Sequence, residues 1–231
     1  MNDDSPLKLQ GITKNYKEFH LGPVDLEVPR GYVMGLVGAN GAGKTTAIKI
    51  ALGAVLPGNG TVRLIDKSRV GVVLDQPPWP SSWRVRDIAK LVGPFYPDWN
   101  QRVFEELCGW AGVSWRLKVK EFSRGMGMKM QLAVALAHEA ELLVLDEPTS
   151  GLDPLARGEL LDMLSGFMSS ERHSVLFSTH ITSDLDRIAD MVTILDAGKV
   201  IASGSREDLL EAWVMVRGGV ADLTDGLSSR V

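Results

Sequence analysis

Short apolar runs bounded by glycine, proline and acidic residues set the rhythm of this chain. Tyr32-Val-Met-Gly-Leu-Val37, Val70-Gly-Val-Val-Leu74, Glu141-Leu-Leu-Val-Leu-Asp-Glu147 and Ser174-Val-Leu-Phe-Ser178 are strand-length. The run ending at Glu147 is apolar at successive positions, as expected of a strand buried on both faces of a parallel sheet. Thr46-Ala-Ile-Lys-Ile-Ala-Leu52 reads as helix, and so does the stretch from Arg84 to about Val119. Ser123 is a good N-cap for an amphipathic helix continuing through Met128 to His138. Asp153-Pro154 supplies an N-cap and a first-turn proline for another. Residues 123 to 205 therefore alternate helices and strands, and Trp213-Val-Met-Val-Arg217 predicts one further strand. No internal repeat or low-complexity segment interrupts the pattern. It predicts an α/β fold with a mainly parallel core sheet.

The first apolar run leads into Gly38-Ala-Asn-Gly-Ala-Gly-Lys-Thr45, a full G-x-x-x-x-G-K-[ST] phosphate-binding loop between a strand and a helix. Its three glycines, Gly38, Gly41 and Gly43, with Ala39, Asn40 and Ala42 between them, let successive N–H groups turn toward a polyphosphate. The helix N-terminus, continuing through Thr46, adds partial positive charge there. Lys44 is placed to reach the β- and γ-phosphates and Thr45 to ligate Mg²⁺. All eight positions match and both flanks are correct, so the loop predicts nucleoside triphosphate binding.

The run ending at Asp146 and Glu147 supplies the second half. Ligands of parallel sheets sit beyond the carboxyl ends of the strands, where these acids fall. Adjacent residues on a strand point to opposite sides, so the two have different jobs. Asp146 is placed for the Mg²⁺ shell and Glu147 to polarise an attacking water. A strand can also simply end in solvated acids; the P-loop upstream decides against that here.

These two segments, with Ser178-Thr-His180 beyond them, resemble the ATPase subunit of an ABC transporter over roughly residues 7 to 210. The resemblance implies a P-loop NTPase with a small N-terminal antiparallel β-subdomain and a helical subdomain. A single domain, 1–231, then comprises a core with the β-subdomain (about 1–75 and 140–210), the helical subdomain (about 76–138) and a tail (211–231). It implies that His180 contacts the γ-phosphate, that Tyr16 stacks on adenine, and that Ser150-Gly-Leu-Asp153 crosses a dimer interface. Phe122-Ser-Arg-Gly-Met126 occupies the place of the family's Leu-Ser-Gly-Gly-Gln element, which binds the γ-phosphate held by the other subunit. Only Ser123 and Gly125 carry over; Arg124 replaces a glycine, and either adds charge near the phosphates or points to solvent. Where the family has a glutamine after the strand Val70–Leu74, Asp75 takes the position and Gln76 follows, and either serves the metal site. The stretch from Leu56 to Asp75 is short, which implies a trimmed β-subdomain.

Composition sets the limits. The chain has 231 residues, 45% of them hydrophobic, enough for a sizeable core. A net charge of −4 without a Lys/Arg block argues against nucleic acid and against electrostatic membrane binding. No apolar run approaches spanning length, and the acidic start Met1-Asn-Asp-Asp-Ser5 is unlike a signal peptide. The lone Cys108 excludes an internal disulfide and fits a reducing cytosol. The expectation is a cytoplasmic protein held at the inner face of the cell membrane by a separate permease subunit, with a second ATPase subunit, ATP and Mg²⁺ completing the assembly.

Five of the six tryptophans (Trp79, Trp83, Trp99, Trp110, Trp115) fall between residues 79 and 115. Trp99 and Trp110 are expected in the core; Trp79 or Trp83 is a candidate to face the permease. Phe95-Tyr-Pro-Asp-Trp-Asn100 and the Ser-Arg-Gly-Met form look most like the bacitracin-resistance and drug-efflux type, which implies export. The alternative is a soluble ABC ATPase acting as an ATP-gated regulatory or binding module.

Overall fold

Residues 5–212 are described by the structure, a computed structural model; the strand expected at 213–217 lies outside them. Two sheets organise the chain. β1 (Leu7–Asn15), β2 (His20–Val28) and β4 (Asn59–Leu64) form an antiparallel sheet in the order β2-β1-β4. From Val24 to Val28 burial alternates, with Val24, Leu26 and Val28 inward and Asp25 and Glu27 outward. That is the pattern of a sheet with one wet face.

The larger sheet runs β5 (Val70–Val73), β6 (Leu142–Asp146), β7 (Ser174–Thr179), β3 (Val33–Val37), β8 (Met191–Asp196), β9 (Lys199–Ser205). Its neighbours are parallel except β9, which is antiparallel to β8. Every residue of β6 and β7 is buried, as the apolar stretches Leu142–Leu145 and Val175–Phe177 require, and the polar residues at the strand ends are buried with them. One face packs through Met34, Val144 and Leu176 against α1 (Lys44–Ala51) and the antiparallel sheet. The other packs through Leu145 and Phe177 against α5 (Pro154–Phe167) and α6 (Thr182–Ile188). A third cluster joins α2 (Val85–Val92), α3 (Gln101–Trp110) and α4 (Arg124–Ala137), centred on Ile88, Phe104 and Met130. A short α7 (Arg206–Ala212) follows β9.

Two helical expectations are corrected. Helix does not run from Arg84 to Val119. Pro94 and Pro97 break it after α2, and α3 starts afresh at Asn100, whose side chain accepts from the N–H groups of Arg102 and Val103 at 3.1 and 3.2 Å. α3 ends at Trp110, where Gly112 takes a φ of +67°, and the chain then runs back to bridge Lys118 with Arg84. Nor is α4 amphipathic. Its Met128, Leu132 and Ala135 enter the core under the parallel sheet, while Met130, Ala133 and Val134 enter the helical cluster. A helix between two cores has little left for solvent.

Trp99 and Trp110 are partly buried against the helical cluster, Trp99 with its ring 5.0 Å from that of Phe104. Trp79 and Trp83 also pack partly against it, whereas Trp115 is exposed.

Candidate active site

Because β5, β6, β7 and β3 are parallel, their carboxyl ends open on the same side, and the segments leaving them converge. The P-loop leaves β3, Asp146 and Glu147 end β6, and Ser178 to His180 end β7; Asp75 follows β5. The cleft between them has a volume of about 510 Å³ and is lined by Asn40, Thr45, Lys49, Leu74, Asp75, Gln76, Asp146, Glu147, Ser150 and His180.

The three loop glycines are required for different reasons. A Cβ on Gly38 would stand 2.3 Å from the Leu195 carbonyl oxygen. Gly43 has a φ of +109°, and a Cβ there would meet Leu21 at 2.7 Å and Phe19 at 2.9 Å. Gly41 meets no such crowding: it is exposed, with open space where a Cβ would stand. Its φ of +82° makes glycine the favoured residue there, so its part is to turn the backbone. Of the loop residues expected to bind nucleotide, Asn40 and Thr45 line the cleft, whereas Gly41, like Gly38, Ala39, Ala42, Gly43, Lys44 and Thr46, does not. A residue without a side chain can reach phosphate only through its backbone N–H. The β1–β2 turn lies against the P-loop through Phe19. Tyr16, whose N–H donates to the Phe19 carbonyl at 2.8 Å, sits on the same turn with its ring half exposed.

Around the two acids the polar groups form a connected set. Register pairs Asp146 with Ser178 across β6 and β7, and the Ser178 hydroxyl donates to Asp146 Oδ1 at 2.7 Å. Thr45 donates to Asp146 Oδ2 at 2.8 Å. Asp146 is buried, so these two donors are what satisfies its charge. Glu147 takes a φ of +52°, a left-handed conformation costing a non-glycine residue about 1–3 kcal/mol. Its N–H donates to both the carbonyl and the hydroxyl of Ser178, each at 3.1 Å, which holds it there.

The Glu147 side chain is held from two sides. His180 Nδ1 lies 2.7 Å from Oε2, and the Lys44 ammonium 2.9 Å from Oε1. Oε1 is buried and accepts no hydrogen bond, so the Lys44 contact is ionic only. Lys44, itself buried, also donates to the carbonyls of Gly38 and Ala39 at 2.6 and 3.2 Å. The ammonium therefore lies folded over the loop that a polyphosphate would occupy.

The donor set fits a nucleotide with its cation. A volume of about 510 Å³ falls within the usual range for ligand clefts, roughly 300–1,000 Å³. Mg²⁺ is commonly held by one or two protein oxygens, with phosphates and water completing the octahedron; Thr45 and Asp146 supply two adjacent oxygens. Among the described residues no cluster of three or more His, Cys, Asp or Glu side chains is gathered for a metal. Asp75 lines the cleft, but its carboxylate is ion-paired with Arg124.

Three expected residues stand elsewhere. Ser123 caps α4, accepting from the Met126 N–H at 3.2 Å, with Gly125 in the first turn. Asp153 caps α5, accepting from the N–H groups of Leu155 and Ala156, both at 3.0 Å. None of the three lines the cleft, and neither does Tyr16.

Sequence reasoning missed several supports. Ser178 had no assigned role. Asp184, fully buried, accepts from Thr149 at 2.6 Å and pairs with Arg157, anchoring the loop after Glu147. Gln131 is buried in α4 and makes two 2.9 Å bonds with the backbone of Leu74, one to its N–H and one to its carbonyl. A glutamine within the otherwise apolar stretch Met130–Ala137 of the helix was the available signal for it.

The ABC transporter family profile matches residues 21–150, and a shorter match to an AAA domain, described as a putative AbiEii toxin of a Type IV TA system, spans residues 116–185. The bacitracin transport ATP-binding protein BcrA of Enterococcus faecalis is 32% identical over 212 residues, covering 84% of this chain and 68% of that protein. The lantibiotic transport ATP-binding protein SrtF of Streptococcus pyogenes is 33% identical over 205 residues, covering 84% and 89%. Among solved structures, the ATP binding subunit of an ABC transporter superposes with a TM-score of 0.77 at 26% identity, covering 90% of this chain and 93% of that one.

Proposed function

The chain belongs to the ABC transporter ATP-binding family, and from that we propose that this ATPase closes as a head-to-tail dimer around ATP and drives a separate membrane permease, in the direction of export. The observation carrying the hydrolytic part is the Glu147 carboxylate, which lines the cleft and is fixed there by His180 and Lys44, near the Thr45–Asp146 pair.

Residues Gly38 to Thr46 wrap the phosphates with backbone N–H groups, Gly41 among them, and Lys44 exchanges Glu147 and the loop carbonyls for phosphate oxygens. That exchange frees Glu147 to take the proton of an attacking water, with His180 holding its other oxygen and reaching the γ-phosphate. Thr45 and Asp146 hold Mg²⁺, with Asp75 as a further candidate; when bound, the ion offsets phosphate charge. Tyr16 offers a ring face to adenine.

Ser123, Gly125 and Asp153 do not line their own chain's cleft, which suits residues that complete a site on a second copy. The core with its β-subdomain (about 1–75 and 140–210) and the helical subdomain (about 76–138) then act as the two moving parts. The permease surface we offer is the groove beside the cleft, about 390 Å³ and including Gln76, Pro77, Trp79 and Phe122. The relatives' names, bacitracin transport and lantibiotic transport, support a transport role. Placement at the inner face of the cell membrane comes through the permease; among the described residues no helix is long and apolar enough to cross a membrane.

Glu147→Gln tests the reading. It should retain ATP binding while turnover falls by about 10²–10⁴-fold, the usual contribution of a general base. Hydrolysis near the parent rate would remove Glu147 from that role.

A further inference from the structure

Two positions at which this chain departs from its family's pattern, Asp75 and Arg124, meet. They lie 49 residues apart in sequence, yet the Arg124 guanidinium is ion-paired with the Asp75 carboxylate. The pair is held from three directions. Gln131 fixes the backbone of Leu74 to α4. Pro77 lies against Gly127, where a Cβ would stand 2.9 Å from the proline ring. The Arg124 stem passes over Gly151, where a Cβ would be 3.2 Å from Arg124 Cδ. Asp75 therefore forms part of two surfaces at once: the nucleotide cleft, and the neighbouring groove that contains Ser123 and Arg124.

Both side chains are substantially exposed, 39% for Arg124 and 51% for Asp75. Such a pair is weak and exchangeable. A guanidinium makes the same paired charge-assisted bonds to phosphate as to carboxylate, and a phosphate offers it more negative charge and more acceptor oxygens. Arg124 also occupies the first turn of α4, the helix start that the proposed dimer presents to the other copy's γ-phosphate.

We propose that Asp75 is an intrachain stand-in for phosphate: it holds Arg124 in the separate subunit, and ATP-driven dimer closure exchanges that carboxylate for the γ-phosphate bound by the second copy. The pair then acts as a brake. It opposes closure until a triphosphate is present to replace Asp75, and it receives Arg124 back when the phosphate leaves. This inference rests on the head-to-tail dimer proposed above.

The test is a double-mutant cycle on the dimer dissociation constant, measured by sedimentation with saturating Mg²⁺–ATP in Glu147→Gln protein. Asp75→Asn should tighten the dimer, by about 2- to 5-fold for each released pair and so roughly 4- to 25-fold for two. Arg124→Gln should weaken it by at least about tenfold, through loss of a charge-assisted bond. With both changes together, the gain from Asp75→Asn should vanish. Arg124→Lys keeps the charge but not the paired bonds, so it should recover part of the affinity and fall between the parent and Arg124→Gln.

An equal effect of Asp75→Asn with and without Arg124 overturns the proposal, because Asp75 would then act on its own. So does an Arg124→Gln dimer as tight as the parent, or an Arg124→Lys dimer as weak as the glutamine form. If the Glu147→Gln parent forms no ATP-dependent dimer at all, the dimer reading itself fails and takes this inference with it.

Discussion

Ser178→Ala removes one buried oxygen that supports both acids of the cleft, and the geometry predicts the size of the loss. The hydroxyl has two partners: it donates to Asp146 Oδ1 at 2.7 Å and accepts from the Glu147 N–H at 3.1 Å. The second loss is nearly free, because that N–H already donates to the Ser178 carbonyl at 3.1 Å. The first leaves one oxygen of a buried carboxylate without a donor, and hydrogen bonds to charged groups contribute about 1.5–3 kcal/mol. Ser174→Ala on the same strand is an internal control. Ser174 is equally buried, and its hydroxyl bridges the Pro29 carbonyl at 3.0 Å and the Gly31 N–H at 3.1 Å, both uncharged. Loss of a neutral bond costs about 0.5–1.5 kcal/mol. Thermal unfolding of both variants without nucleotide should show Ser178→Ala melting roughly 3–12 °C below the parent, at about 2–4 °C per kcal/mol for a domain of this size. Ser174→Ala should fall by about half as much. Turnover should drop several-fold only in Ser178→Ala, since only there do Asp146 and Glu147 lose a shared support. Equal destabilisation by the two substitutions would refute the charged-bond reasoning. A Ser178→Ala protein with the parent's melting temperature would refute it outright.

Lys44→Ala should weaken ATP binding by about 10- to 150-fold, the equivalent of one charge-assisted bond; calorimetry showing unchanged affinity would remove Lys44 from phosphate contact. Replacing Trp79 and Trp83 together by Ala should leave the isolated subunit's ATPase largely intact and weaken permease association by about 2 kcal/mol or more. Pull-down of a folded double mutant at parental affinity would move the interface elsewhere. His138, buried and stacked on Tyr96 with ring centroids 3.9 Å apart, gives a pH prediction. Burial holds its pKa below the ordinary 6.5. Above pH 6.5 it is neutral whether folded or unfolded and adds no pH dependence. As pH falls below that value the unfolded chain takes the proton first, so stability declines until the folded value is passed. His138→Phe should flatten this slope in denaturant titrations between pH 7 and 5; an unchanged slope would assign it to other groups.

Local patterns in the sequence were enough where the physics itself is local. The P-loop glycines, the Asp153 and Ser123 caps and the apolar runs of β6 and β7 each depend on a few adjacent residues, and each was legible. The separate reasons for those glycines were not: Gly41 answers to its own backbone angle, whereas Gly38 and Gly43 answer to Leu195, Leu21 and Phe19, which only the fold brings close. The end of the third helix was hidden too, because the turn at Gly112 is stabilised by the return of residues 113–118 to Arg84. Nor could the pattern of α4 show that a second core would cover its outer side. The polar set at the cleft was legible only as separate residues. Asp146 meets Ser178 because β6 and β7 are neighbours in one register, and Phe19 reaches Gly43 because the antiparallel sheet packs beside α1. Arg124 finds Asp75 through the Gln131 clamp that binds α4 to the end of β5. Spacing along a chain can name the groups that do chemistry; strand order and helix packing decide which charges become partners, since those contacts join residues that no periodicity relates.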